Sequence, residues 1–221
     1  AYETFFPERR PFFIEGSTIF NFGSMRSQNQ SNGYNFLYTR RIGHEPQRFI
    51  SGSDIAYVDA PTETRIDGAA KLTGRTAGGW SVGIIDAVTA NEEARIRDVN
   101  GIDSKAIVEP RSNYFLSRVK RDFRDGNTTF GFGATAVNRD LSDPDLEPLF
   151  RKSAYTGGID WQHAWHNQTW AFDGDIVFSQ NNGSAEAIDD LQTSSVRFFQ
   201  RPDKVHYRRD RLFLARHVNL Q

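Results

Sequence analysis

The chain has 221 residues and a net charge of −1, from 27 basic and 28 acidic side chains, so no global charge draws it to nucleic acid or to anionic lipid. Only 38% of residues are hydrophobic, yet 13% are aromatic and 18 are Phe. A soluble core leans on Leu, Ile and Val, whereas a membrane barrel needs apolar residues only at alternate positions and takes aromatics at its rims. No stretch of about 18 apolar residues exists, which excludes a transmembrane helix, and the lack of Cys excludes disulfides and thiolate metal sites.

Ala1 opens directly into Tyr2-Glu3-Thr4-Phe5-Phe6 with no basic segment and apolar run, so the sequence shows no signal peptide, and an exported protein would have lost its beginning. Residues 1–34 are aromatic and basic and are interrupted by Pro7 and Pro11, which predicts an irregular lead-in, periplasmic or plug-like. Its Phe and Arg clusters suit packing against a barrel mouth or filling a lumen. Glu8 and Glu15 could be imagined as paired glycosidase carboxylates, but their spacing in a Pro-broken segment does not define the separation such chemistry needs. Ion pairing with Arg9 and Arg10 is the expected role.

A first strand is predicted over 35–41, followed by a long polar connection to about Glu63 carrying Gly43, Pro46, Gly52 and Pro61. Residues 64–75 alternate, with Ile66, Gly68, Ala70 and Leu72 on one face and Arg65, Asp67, Lys71, Thr73 and Arg75 on the other. Thr76-Ala77-Gly78-Gly79 returns the chain into a strand begun by Trp80, Val82 and Ile84, and a long charged loop spans about 91–110. Residues 113–124 and 128–139 form a hairpin around Asp125-Gly126-Asn127, with Phe130, Phe132, Ala134 and Ala136 on its apolar side. A Pro- and Asp-bearing loop leads to the clearest pair, 154–165 and 169–180. There Tyr155, Ile159, Trp161 and Trp165, then Trp170, Phe172, Ile176 and Phe178, stand opposite Thr156, Asp160, Gln162, Asp173 and Asp175. A last strand is predicted at 194–200, after a loop through Asn181-Asn182-Gly183.

About eight strands result, with short turns at three alternate connections and long polar loops at the others. Outer-membrane barrels are wired that way, short turns on the periplasmic side and longer loops outside. The expected fold is therefore an all-β, antiparallel, up-and-down barrel segment over 35–200, outer-membrane in type, with a lead-in (1–34) and a truncated or divergent tail (201–221). Soluble antiparallel sandwiches share the alternation and remain the competing reading. In the barrel, Arg65, Asp67, Lys71, Arg75, Asp160, Gln162, Asp173 and Asp175 are the candidate lumen-facing residues, and Trp80, Trp161, Trp165 and Trp170 the candidate membrane-interface aromatics. His163 and His166 near Asp160 do not make a metal site: positions 160 and 163 point to opposite faces and His166 falls in a turn. No catalytic residue and no cofactor is assigned. Asn127-Thr128-Thr129, Asn167-Gln168-Thr169 and Asn182-Gly183-Ser184 match a glycosylation sequon and are read as turn residues.

The run from Glu3-Thr4-Phe5-Phe6-Pro7-Glu8 through Arg9-Arg10-Pro11-Phe12-Phe13-Ile14-Glu15-Gly16 resembles a block of bacterial proteins that join a carbohydrate-binding-family-9-like domain to a large outer-membrane barrel, domain of unknown function 5916. Tyr38-Thr39-Arg40-Arg41-Ile42-Gly43, Asn113-Tyr114-Phe115-Leu116-Ser117-Arg118-Val119, Ala136-Val137-Asn138-Arg139-Asp140, Gly157-Gly158-Ile159-Asp160-Trp161 and Phe198-Phe199-Gln200-Arg201-Pro202-Asp203 continue the likeness in order. The resemblance implies an outer-membrane location in a Gram-negative bacterium, lipid as a partner, and carbohydrate bound by an N-terminal domain absent from this sequence. It transfers no catalytic residue. The expected role is a pore, uptake or surface-display component, with a cell-surface glycan hydrolase or a purely structural barrel as alternatives.

Overall fold

A computed structural model describes residues 6–23, 36 and 38–193, and the backbone of 212–220. Its architecture is all-β and antiparallel. The strands are β1 (Ile55–Asp59), β2 (Ile66–Arg75), β3 (Trp80–Thr89), β4 (Glu92–Asp98), β5 (Asp103–Glu109), β6 (Ser112–Phe123), β7 (Thr128–Arg139), β8 (Ser153–Trp165), β9 (Trp170–Asn182) and β10 (Leu212–Leu220). Seven of them form an open sheet in the order β10-β9-β8-β7-β6-β3-β2, and β1-β4-β5 form a smaller one.

Three tight turns, all at one end of the large sheet, join β2 to β3, β6 to β7 and β8 to β9. The chain reverses there through positive φ at Gly79 (80°), at Arg124, Asp125 and Gly126 (52°, 55° and 85°), and at His166, Asn167 and Gln168 (51°, 52° and 64°). Asp and Asn tolerate that conformation better than most side chains, which is why the turns were readable. At the other end the ladders run on: the last β3–β6 pair is Thr89↔Ser112 and the first β4–β5 pair is Glu92↔Glu109. The charged loop predicted at 91–110 is therefore the hairpin β4–β5. Both of its flanks carry charge, and Arg97 pairs with Asp103 at 2.7 Å and Lys105 with Glu93 at 3.2 Å. β1, within the predicted polar connection, joins β4.

Three further expectations change. Thr39–Arg41 is a 3₁₀ turn where a strand was predicted over 35–41, because the Arg10 guanidinium takes the carbonyls of Thr39 (2.8 Å) and Ile42 (2.7 Å). Residues 35 and 37 lie outside the described residues, as does the strand predicted at 194–200. Ahead of that segment the chain forms a helix (Ala185–Thr193), capped where Ser184 Oγ accepts from the Ala187 amide and burying Ala187, Ile188 and Leu191. Finally, part of the tail, 212–220, pairs with β9 from Gly174 to Asn182.

The two faces of the large sheet differ. On one, the lead-in packs: Phe13 and Ile42 (0% exposed) sit with Ile85, Ala87, Tyr114 and Leu116 in the main core cluster, flanked by Phe20, Phe36, Ile66 and Val137. Ile66 reaches this face because the β2 ladder shifts between Ile66 and Gly68, so it does not share a face with Gly68, Ala70 and Leu72 as strict alternation had it. The other face is open and apolar. Leu72 (63% exposed), Trp170 (62%), Phe130, Phe132, Tyr155, Phe172 and Phe178 all stand on it.

Candidate functional site

The covered face carries most of the sheet's charges, Asp86 and Arg121 standing on the other. Arg118 on β6 is 1% exposed and makes a bidentate pair with Asp160 on β8, at 2.6 and 2.7 Å. β7 lies between the two strands, and it can be bridged because Gly131 stands beneath the pair; a Cβ there would strike both the guanidinium and the carboxylate. Arg118 Nε donates to the Asn21 carbonyl at 3.1 Å, and its guanidinium lies 5.1 Å from the Phe22 ring. One buried cation thus ties two strands to the lead-in.

Glycines make the rest of the seat. An added Cβ at Gly83 would fall 2.7 Å from Phe20 and 2.9 Å from Ile19, and at Gly133 2.5 Å from Phe36. At Gly158 it would meet the Ile176 carbonyl at 2.6 Å and the Phe22 ring at 3.0 Å. The rings of Phe22 and Phe36 pack edge to face at 4.1 Å over this floor. At its start the lead-in is fixed by Glu8, which accepts from Arg10 Nη2 (2.8 Å), Arg10 Nε (2.9 Å) and Thr39 Oγ1 (2.7 Å). The Arg10 guanidinium, before any other cause, holds the Glu8 carboxyl down at about 2.

Of the predicted lumen-facing residues, Asp160 is the partner of Arg118. Lys71 donates to the lead-in carbonyls of Phe12 and, at 2.5 Å, of Glu15, with the Phe12 ring 5.1 Å away. Arg75 pairs with Asp122 at 2.7 Å, and Lys120 approaches the same carboxylate at 3.4 Å. These three, with Thr129 and Gln162, line a cleft of about 360 Å³ between residues 18–23 and the short-turn end of the sheet. Asp173 and Asp175 are buried, Asp175 beside Gly23. The side chains of Arg65 and Asp67 pair with each other, at 3.2 Å, where the β2 ladder shifts, outside this cluster, and the Arg65 amide donates to the Glu92 carboxylate at 2.9 Å.

Trp80, Trp165 and Trp170 are exposed at the short-turn end. Trp161 is half-buried, its ring 6.4 Å from Phe172. His163 stacks on Trp165 at 5.5 Å and contacts Thr128 Oγ1 at 2.9 Å, while His166 occupies the turn and Asp160 faces the lead-in, so the three stand apart. Arg118 is the residue missing from the sequence-derived set. Its signal was position: it follows Tyr114 and Leu116 at period two and so shares their buried face.

No curated protein and no solved structure matches the chain. The family model described as Domain of unknown function (DUF5916) matches residues 1–218, and the chain belongs to that family.

Proposed function

We propose that the large sheet is part of the wall of an outer-membrane β-barrel, and that the lead-in is a plug in its lumen, making the protein a gated uptake or surface-display component. The observation that carries this reading is the division of the sheet into two faces. Its open face is aromatic and aliphatic apart from Asp86 and Arg121, whereas the Arg118–Asp160 pair and Lys71 lie on the covered face against the lead-in. β2 and β3 have 10 residues, β6 and β7 have 12, and β8 and β9 have 13. At about 3.3 Å per residue and a tilt near 40°, such strands cross an apolar layer of about 25 Å. The arrangement of short turns at one end and long connections at the other supports the same reading.

The test uses the full-length protein in detergent and in a planar bilayer. The expected result is a boiling-dependent change in gel mobility, a closed wild type, and discrete conductance steps in Arg118→Ala. A water-soluble protein without the shift sinks the membrane reading. A shift without conductance in any plug variant leaves a structural barrel.

A further inference from the structure

At the short-turn end of the open face, one row across the sheet runs Trp80, Arg121, Phe130, Trp161 by direct cross-strand pairing. The Arg121 guanidinium lies 4.9 Å from the Trp80 ring and 4.5 Å from the Phe123 ring. Its Nε is buried and has no hydrogen-bond partner among the described residues. The neighbouring carboxylate, Asp122, points to the other face and is engaged there by Arg75 and Lys120. The clamp is held firmly: the Trp80 amide donates to Thr76 Oγ1 at 3.2 Å, and the Asp122 amide donates to the Gly79 carbonyl at 2.9 Å.

A guanidinium can stack on aromatic faces and still present its planar N–H fork to an anion. Arg121 is half-buried, and an oxyanion docked on the outer N–H groups of its guanidinium would gain charge-assisted hydrogen bonds. In a barrel this row lies at the headgroup level, where aromatic belts sit and where a phospholipid leaflet presents its phosphates. The geometry points to a phospholipid-phosphate site formed by Arg121 between Trp80 and Phe123 on the outer wall. This site rests on the barrel reading above.

The test is titration of the delipidated full-length protein with short-chain phosphatidylglycerol, counting bound lipid by native mass spectrometry. Arg121→Gln is expected to weaken one site about tenfold, the loss of a charge-assisted contact, with the boiling-dependent shift intact. Arg121→Lys, which keeps the charge without the fork, should fall between them and serves if the Gln variant fails to fold. Millimolar inorganic phosphate should not displace the lipid. Unchanged lipid affinity in both folded variants, or displacement by inorganic phosphate, overturns the site alone. Absence of the mobility shift in the wild type overturns it together with the barrel.

Discussion

Arg118 and Asp160 are a buried ion pair, and such pairs hold strands together only when every polar atom is answered. Here two hydrogen bonds join the side chains and the third guanidinium nitrogen reaches Asn21. Removing one partner strands the other charge, so Arg118→Ala or Asp160→Ala should cost about 3–5 kcal/mol. Replacing both with apolar residues of similar volume should recover much of that loss in the heating midpoint of the mobility shift. Two carboxylates respond to pH in opposite senses. The Glu8 carboxyl is held at about 2, below its ordinary value of 4.5. Its stabilisation is therefore present above 4.5 and is lost as pH falls through about 2. Hydrogen-exchange protection of residues 8–15, corrected for intrinsic rates, should decline across that window, by on the order of 3 kcal/mol at most, and Glu8→Gln should abolish the pH dependence. Glu109 is 1% exposed, and burial pushes its carboxyl up, opposed by the Gln47 amide at 2.9 Å and by the nearby His44, Arg139 and Arg151. Its charged form is the costly one, so that penalty is present above its folded pKa and fades as pH falls through it. Glu109→Gln should stabilise the protein at neutral pH and remove this slope.

Glycine placement decides how the lead-in meets each strand, and paired substitutions separate seat from scaffold. Gly133→Ala sets a methyl 2.5 Å from the Phe36 ring, whereas Gly157→Ala, one strand away, meets among the described residues only the Gly133 carbonyl at 3.8 Å. The first should cost about 1–3 kcal/mol by overpacking and loosen the lead-in, while the second should leave the heating midpoint nearly unchanged. The hairpins β2–β3, β6–β7 and β8–β9 were legible because alternation and turn chemistry agree over 10 or more residues. β4 and β5 were not, since their apolar alternation is only two residues long, Ala94 with Ile96 and Ala106 with Val108, and is set among charges. The turn at Thr39–Arg41 depends on Arg10, about 30 positions earlier, a contact no local window contains. Arg118 was hidden for a related reason. Alternation gave its face, but only the lead-in folding back makes that face dry.

On the barrel reading, the large sheet is a wall whose edge strands among the described residues are β2 and β10, built around a segment held by side chains more than by backbone pairing. A closed barrel needs further strands on those edges, and the chain expressed alone should aggregate or require detergent. The plug reading makes a sharper demand, because a segment seated by one buried cation, glycine contacts and Lys71 can leave its seat, whereas a structural filling cannot. This chain has no cysteine, so a single engineered pair is unambiguous. A Cβ built on Gly16 lies 3.5 Å from the Thr73 Cβ, within disulfide range. Gly16 has φ of 63°, so Gly16→Cys costs about 1–2 kcal/mol of backbone strain. With Gly16→Cys and Thr73→Cys placed in the Arg118→Ala background, conductance should be absent when oxidised and return on reduction. Equal conductance in both redox states, with the disulfide verified by mass, would mean that ions pass without movement of the lead-in, and the gating role would fall while the membrane wall stood.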